Sequence, residues 1–385
     1  MKKKIVCSGI IFAVICSACS SNNTDTNTEN TSNPVYDNLM GITYMENGML
    51  YYDDDYLLKF FDVKSSLSTV ICSDPSCKHP KPTLNKPSEC SAVIDNMGLN
   101  SMAYIGDKLY FSYEEDDTSF THKSFFTADK DGSNRKRFAK IEAEDIGQTL
   151  YTKDSIIVSY QNTIDWSDEN AVALDKLDQW TAGIYIIGMS DGKAEKICSH
   201  TGEEAAIKSL SFDGTNIYYL FTCYEDDVFN AILYKYDTKS GQNEIIKSFK
   251  QIWGIDCGNC FKSTDMLYVD GDNNAAKLHI LSFDGTDTVI AEEKDIGRPF
   301  YLDDSRICYR YGDGEDGFYF GIYDLKSGET VKNEKDWRST FVEAVFDDII
   351  YVLYPPDING SELGTGYISK EDFINGDYDK VVPIK

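Results

Sequence analysis

A β-propeller, a ring of four-stranded antiparallel blades, is the fold class this sequence predicts, and three observations predict it. Seven runs rich in aromatic and β-branched residues lead into turns of Asp, Glu, Asn, Gly or Pro: "MLYYDDD", "KLYFSYEEDD", "SIIVSYQN", "NIYYLFTCYEDD", "MLYVDGDNN", "RICYRYGDGEDG" and "IIYVLYPPD". Further runs cross Gly-containing turns of hairpin type, as in "FFTADKDGSNRKRF", "IYIIGMSDGKAEKI", "LYKYDTKSGQNEII", "LHILSFDGTDTVIA" and "GIYDLKSGETVK". The units recur at roughly 40 to 60 residues, near the repeat length of propeller blades.

The first element is an address rather than structure. Residues 1–18, "MKKKIVCSGIIFAVICSA", carry three lysines, an apolar run and small residues, the order of an export signal. The run is shorter than the about 20 apolar residues of a comfortable membrane span. Ser17-Ala18-Cys19 resembles the end of a bacterial lipoprotein lipobox, with Cys16 where that family has leucine. The resemblance implies lipidation at Cys19 and a membrane anchor on the extracytoplasmic side. Residues 19–37 then form a polar tether of Ser, Asn, Thr, Asp and Glu with little to bury.

The propeller domain is assigned to residues 38–385. Its units begin near Met40, Asn100, Gly147, Ile207, Trp253, Arg298 and Phe341, each running from an inner to an outer strand. Alternation along the runs is imperfect, as expected of strands buried on both faces. Seven is a count of sequence units, with six or eight blades left open, and no strand is visibly exchanged between the two chain ends. "ADKDGSNRKRF" looks like the outer hairpin of TolB-like propellers. The repeat as a whole resembles bacterial lipoproteins carrying the low-density-lipoprotein-receptor-related propeller domain, a domain without an assigned function.

In an up-and-down blade the turn between strands two and three shares a face with the connection to the next blade. That face collects Asp53, Asp54, Asp55, Glu114, Glu115, Asp116, Glu225, Asp226, Asp227, Asp313, Glu315 and Asp316. It also takes the insertion "QNTIDWSDENAVALDKLDQWTAG", where Trp166 stands and where Ala173, Leu177 and Trp180 fall at helical spacing. Loops on a rigid scaffold are where binding residues concentrate, although Asp, Asn and Gly also serve turn geometry for its own sake. "DKDGSN" at Asp129 begins like a calcium loop, but the glutamate at the twelfth position is missing and an outer hairpin turn explains it.

The segment "ICSDPSCKHPKPTLNKPSEC" concentrates unusual chemistry. Cys72, Cys77, His79 and Cys90 offer three thiolates and one imidazole, a set that suits tetrahedral zinc in a structural role. Asp74-Pro75 favours a turn bringing Cys72 back toward Cys77. The spacing is not a standard zinc signature, and a disulfide between two of these cysteines, or a reduced loop, is the alternative. In the lipoproteins just named a similar Cys-x-x-Pro-x-Cys-x-His segment follows the first blade, with no role attached. Cys257 and Cys260 form a lone C-x2-C that reads as a tight disulfide or half of a shared metal site, and Cys198 with His200 is a further pair.

Charge and composition narrow the function. A formal net charge of −27, from 37 basic against 64 acidic residues, argues against nucleic acid as a partner. With four histidines in the chain, no nucleophile, base and orienting group can be assembled from spacing. The expected function is a membrane-anchored propeller that binds a protein, peptide or glycan. The competing class is a propeller hydrolase or lyase on a surface or dietary polymer, which requires a deep polar funnel on the axis.

Overall fold

The structure is a computed structural model that describes residues 36–38, 42–45, 48–52, 57–80, 88–94, 99–113, 122–162, 180–226, 228–250, 252, 260–271, 275–312, 317–335, 341–346, 348–354 and 364–384. A lone strand, β1 (Tyr36–Asn38), precedes blade one, which is β2 (Ile42–Met45), β3 (Gly48–Tyr52), β4 (Leu58–Asp62) and β5 (Leu67–Val70). Blade two is β6 (Leu99–Ile105), β7 (Lys108–Tyr113), β8 (His122–Asp129) and β9 (Lys136–Glu142). Blade three is β10 (Asp145–Tyr151), β11 (Ser155–Asn162), β12 (Trp180–Gly188) and the first part of β13 (Ala194–Phe212). The rest of β13 opens blade four, followed by β14 (Asn216–Glu225), β15 (Val228–Asp237) and β16 (Asn243–Lys250). Blade five shows β17 (Asp265–Asp270), β18 (Ala276–Ser282) and β19 (Asp287–Glu293), with Phe261 bridging Met266 where its inner strand is expected. Blade six is β20 (Gly297–Tyr301), β21 (Arg306–Tyr311), β22 (Tyr319–Asp324) and β23 (Thr330–Asn333). Blade seven is β24 (Phe341–Val345), β25 (Ile349–Tyr354), β26 (Gly364–Ser369), a short helix α1 (Lys370–Asn375) and β27 (Val382–Pro383).

All named pairings are antiparallel, and the aromatic runs of the sequence became the second strand of each blade. Among the described residues, one hydrophobic cluster fills each of the seven spaces between neighbouring blades, a ring of seven blades. Strands buried on both sides send alternate residues to different clusters. In β11, Ile156, Val158 and Tyr160 pack toward blade two while Ile157 packs toward blade four. The fully buried Tyr151 keeps its hydroxyl satisfied on Ser101, 2.6 Å away, which in turn bonds Ser112 at 2.7 Å.

Among the described residues, blades one and seven meet without exchanging a strand. Their seam is closed by side chains: Tyr44 stacks on Phe346 and Phe61 meets Tyr367 edge-on, both at 5.2 Å, and the Tyr367 hydroxyl donates to the Val63 carbonyl at 3.3 Å. Five inner strands, β2, β6, β10, β20 and β24, begin within two residues of where the sequence placed a unit, but three local features differ from expectation. Tyr36 and Asp37, assigned to the tether, belong to β1, which pairs with Tyr151 to Thr149 on the inner edge of β10. The outer strand of blade three and the inner strand of blade four form one continuous strand, with its register shift and the left-handed Glu204 at the corner. Trp180 is the first residue of β12, paired with Gly202 and half-buried, so it does not end a helix; Ala173 and Leu177 lie outside the described residues.

Much of the acidity builds turns. In the repeated sequences Asp237-Thr-Lys-Ser-Gly241 and Asp324-Leu-Lys-Ser-Gly328 the Asp carboxylate accepts two backbone N–H bonds, at 2.8 and 2.9 Å in the first and 2.9 and 2.7 Å in the second. Both glycines sit at φ 71°, the left-handed conformation the turn needs. Those N–H bonds, from Ser240 and Ser327 foremost, hold both carboxyls below the usual carboxylate range. "DKDGSN" is such a turn too: Asn134 bonds the Asp129 carboxylate and Ser133 N–H bonds Asp131.

Candidate metal centre

The cysteine segment interrupts the outer strand of blade one. Ile71 N–H bonds the Leu58 carbonyl at 3.0 Å, and Leu58 N–H bonds Ala92 at 2.8 Å, while Val93 bridges Leu57. The backbone N–H and C=O of one antiparallel residue point the same way, so residues 71 and 92 lie on the same outer side of β4. The chain therefore loops out at Ile71 and returns at Ser91 to finish the edge it left. The loop stands against the β8–β9 turn of blade two.

Blade two grips the returning segment. Arg135 donates from Nη2 to the carbonyls of Ser91 and Val93, at 3.2 and 2.9 Å, and its guanidinium lies 5.4 Å from the centre of the Phe111 ring. Gly132, at φ 74°, lies so close that a Cβ would fall 2.1 Å from the Ser91 carbonyl oxygen. Cys90, Ala92 and Val93 are buried against Leu57, Val70, Cys72 and Cys77, a small satellite core beneath the loop.

Within the loop local chemistry brings four ligand atoms together. The Asp74-Pro75 turn forms as the sequence suggests, with Cys77 N–H on the Asp74 carbonyl at 3.1 Å and Ser76 N–H on the Asp74 carboxylate at 2.8 Å. His79 takes φ 49°, which is uncommon for a residue with a Cβ. Its Nδ1 lies 3.3 Å from Cys90 Sγ, and its backbone N–H donates to Cys77 Sγ at 3.3 Å. Ser88 Oγ ties the far limb, accepting from Cys90 N–H at 3.1 Å and donating to the Pro80 carbonyl at 2.8 Å. The ligand atoms of Cys72, Cys77, His79 and Cys90 all lie within 4.8 Å of one another.

These four residues could hold a metal ion. Cys72 and Cys90 sulfurs are 3.6 Å apart. That is far beyond a disulfide bond of about 2.05 Å, and it approximates the edge of a tetrahedron with metal–sulfur bonds of about 2.3 Å. Burial, then the neighbouring thiols of Cys77 and Cys72, push Cys90 up to about 12. Burial also acts to raise Cys72, but hydrogen bonds from the Asp74 backbone and from Ser91, Cys90 and Cys77 outweigh it and hold that thiol below its ordinary value. A divalent cation removes the cost of crowding several thiolates together, so binding would release protons. The centre borders a cleft of about 850 Å³ whose walls include Asp74, Lys78, Glu89, Asn134 and Arg135, an entry path from solvent.

The other predicted residues divide into three groups. Cys19, Asp53, Asp54, Asp55, Glu114, Glu115, Asp116, Trp166, Asp227, Asp313, Glu315, Asp316 and Cys257 lie outside the described residues. Glu225 and Asp226 are exposed at the β14–β15 turn, with Asp226 at φ 51°. Trp180 packs at the edge of the blade three and four core with its indole N–H buried and unpartnered. Among the described residues Cys72, Cys77, Cys90, Cys198, Cys223, Cys260 and Cys308 are free thiols. His200 is absorbed by the same core as Cys198, stacked on Phe221 at 4.6 Å with Nε2 2.9 Å from the Tyr219 hydroxyl.

One polar network escaped sequence reading. His279 Nδ1 lies 3.0 Å from Asp287 and Nε2 3.2 Å from Asp270, and Tyr268 donates to Asp287 at 2.6 Å while Lys247 of blade four pairs with the same carboxylate. Its members come from four strands in two blades, and no local spacing joins them. Packed between blades four and five, it ties their outer strands together.

No protein-family model and no curated protein matches this sequence. The fold is similar to solved structures at low identity. The acylaminoacyl peptidase of Pyrococcus horikoshii aligns with a TM-score of 0.52 and 10% identity over 90% of this chain and 54% of that one. The β-propeller domain of the trilobed protease of Pyrococcus furiosus aligns at 0.49 and 12% identity, over 86% and 97%. TolB of Acinetobacter baumannii aligns at 0.40 and 14% identity, over 84% and 76%. At these identities the likeness is one of fold.

Proposed function

We propose that the chain is an exported bacterial lipoprotein, anchored in a membrane through lipidated Cys19, whose propeller is a binding module for a protein, peptide or glycan. In this reading zinc joins Cys72, Cys77, His79 and Cys90 as a structural staple. Three thiolates and an imidazole complete a tetrahedral shell and leave no open position for substrate. The staple closes the blade-one loop and displays Lys78 beside the cleft.

The observation that carries binding over catalysis is β1. It adds to the inner edge of β10, the innermost strand of blade three, and so occupies the axis where a hydrolase or lyase would need a deep funnel. Propellers serve both binding proteins and enzymes, so the argument rests on this site rather than on the fold.

The test incubates the full detergent-solubilised chain with arrays of glycans and extended peptides, and separately with polysaccharide and peptide substrates. Saturable binding without product release is expected. Turnover that tracks the purified chain overturns the reading.

A further inference from the structure

The geometry points to the inner edge of β10 as a binding site for an extended peptide, with β1 as its built-in occupant. The inference deepens the reading of the propeller as a binding module and rests on it. β1 is three residues long, yet it skips blades one and two to pair with a strand more than a hundred residues further on. Among the described residues, blade three alone carries an added strand on its inner edge.

Two buried polar atoms mark the same place. Thr149, opposite Asn38 in the β1–β10 register, is fully buried, and its Oγ1 has no hydrogen-bond partner. On β6, which also lies beside β1, the Asn100 Nδ2 is likewise buried and unpartnered. Unsatisfied buried polar groups are rare in a folded chain, because each has left water without gaining a partner. Here they border the one inner edge that already receives a strand. A peptide longer than β1, running antiparallel to β10, supplies backbone bonds along the edge and side-chain partners for Thr149 and Asn100. This is strand addition, in which the main chain gives affinity and alternate side chains give specificity.

β1 suits the role of a displaceable occupant. A strand of three residues makes few ladder bonds and opens at small cost. Its attachment to β2 gives it a local concentration in the millimolar range, so a competing peptide must be tighter or β1 must be released first.

The experiment compares the unmodified full chain with an Asp37→Pro, Asn38→Pro variant, in which two of the three residues of β1 lose their N–H donors. The probe is a synthetic peptide with the sequence Pro-Val-Tyr-Asp-Asn-Leu-Met, that of residues 34–40. The variant is expected to bind the peptide at least about tenfold more tightly than the unmodified chain, and the peptide should slow hydrogen exchange at Thr149 to Tyr151. A folded variant that neither binds nor gains protection overturns the site. Should the variant fail to fold, exchange in the unmodified chain decides: amides of Thr149 to Tyr151 exchanging as slowly as those of Ile156 to Val158 overturn displacement, and markedly faster exchange supports it. Array binding retained when this site fails leaves the binding-module reading standing.

Discussion

With zinc on Cys72, Cys77, His79 and Cys90 as proposed, chelation should melt the blade-one loop and spare the propeller. The loop from Cys72 to Cys90 rests on a core of only Cys90, Ala92 and Val93 with four partly buried neighbours, while each blade interface has its own larger cluster. Closing a loop of about 19 residues is worth about 3 kcal/mol. Spread over the unfolding entropy of roughly 350 residues, that limits the shift in Tm to about 4 °C. The assay measures metal content, calorimetric Tm and hydrogen exchange on the full chain before and after chelation, and repeats them on Cys77→Ser. Near-stoichiometric zinc is expected in the unmodified chain, with faster exchange at residues 73–80 and 88–90 after chelation and in the variant. Full occupancy in Cys77→Ser, or a chelated loop as protected as before, refutes the staple. A Tm drop far above 4 °C would show that the loop underpins the blades rather than merely closing on them.

Three further outcomes follow from packing and charge. Gly132→Ala should loosen the same loop without touching a ligand, because the new Cβ meets the Ser91 carbonyl at 2.1 Å and the residue sits at φ 74°; faster zinc loss to a chelator checks it, and unchanged loss counts against the blade-two grip. Phe373→Ala removes a fully buried ring packed on Phe300, Phe320 and Tyr378 and should cost about 3–5 kcal/mol in denaturant unfolding. Asp303 is subject to burial that opposes ionisation, yet Arg306 and Ser305 hold it down to about 2. Its folded pKa lies below the unfolded one, so its stabilisation is present above about pH 4 and is lost as pH falls toward 2. Allowing for screening, Asp303→Asn should cost about 1–2 kcal/mol at pH 7 and almost nothing at pH 2; an equal cost at both pH values contradicts the charge argument.

The blades were legible because their signal is local. A β-branched and aromatic run followed by an Asp or Gly turn carries its own strand and hairpin information, and seven such runs came out as β3, β7, β11, β14, β17, β21 and β25. Non-local pairing was not legible. Nothing in Tyr36-Asp37-Asn38 announces a partner at Thr149, and nothing in Ile71 announces that its strand resumes at Ser91. The helix α1 did leave a sign: Ser369 caps it by accepting from Asp372 N–H, Asp372 is acidic in the first turn, and Gly376 closes it at φ 71°. Those residues form a capping pattern, but the helix it caps is only six residues long, too short for a periodic signal. For the candidate metal centre, residue types gave the ligand set, while the left-handed His79 and the Arg135 clasp around it depend on the fold.

The strand on the axis also decides where mechanical load enters the molecule. A pull on the chain ahead of Tyr36 meets the β1–β10 ladder before it reaches blade one. A ladder of three residues opens under a small force, whereas a seam of interlocked side chains backed by a buried cluster holds longer. Blade one joins blade seven through such a seam. By seating its first strand in blade three, the chain places a short ladder ahead of that seam, so a pull detaches β1 before it loads the ring.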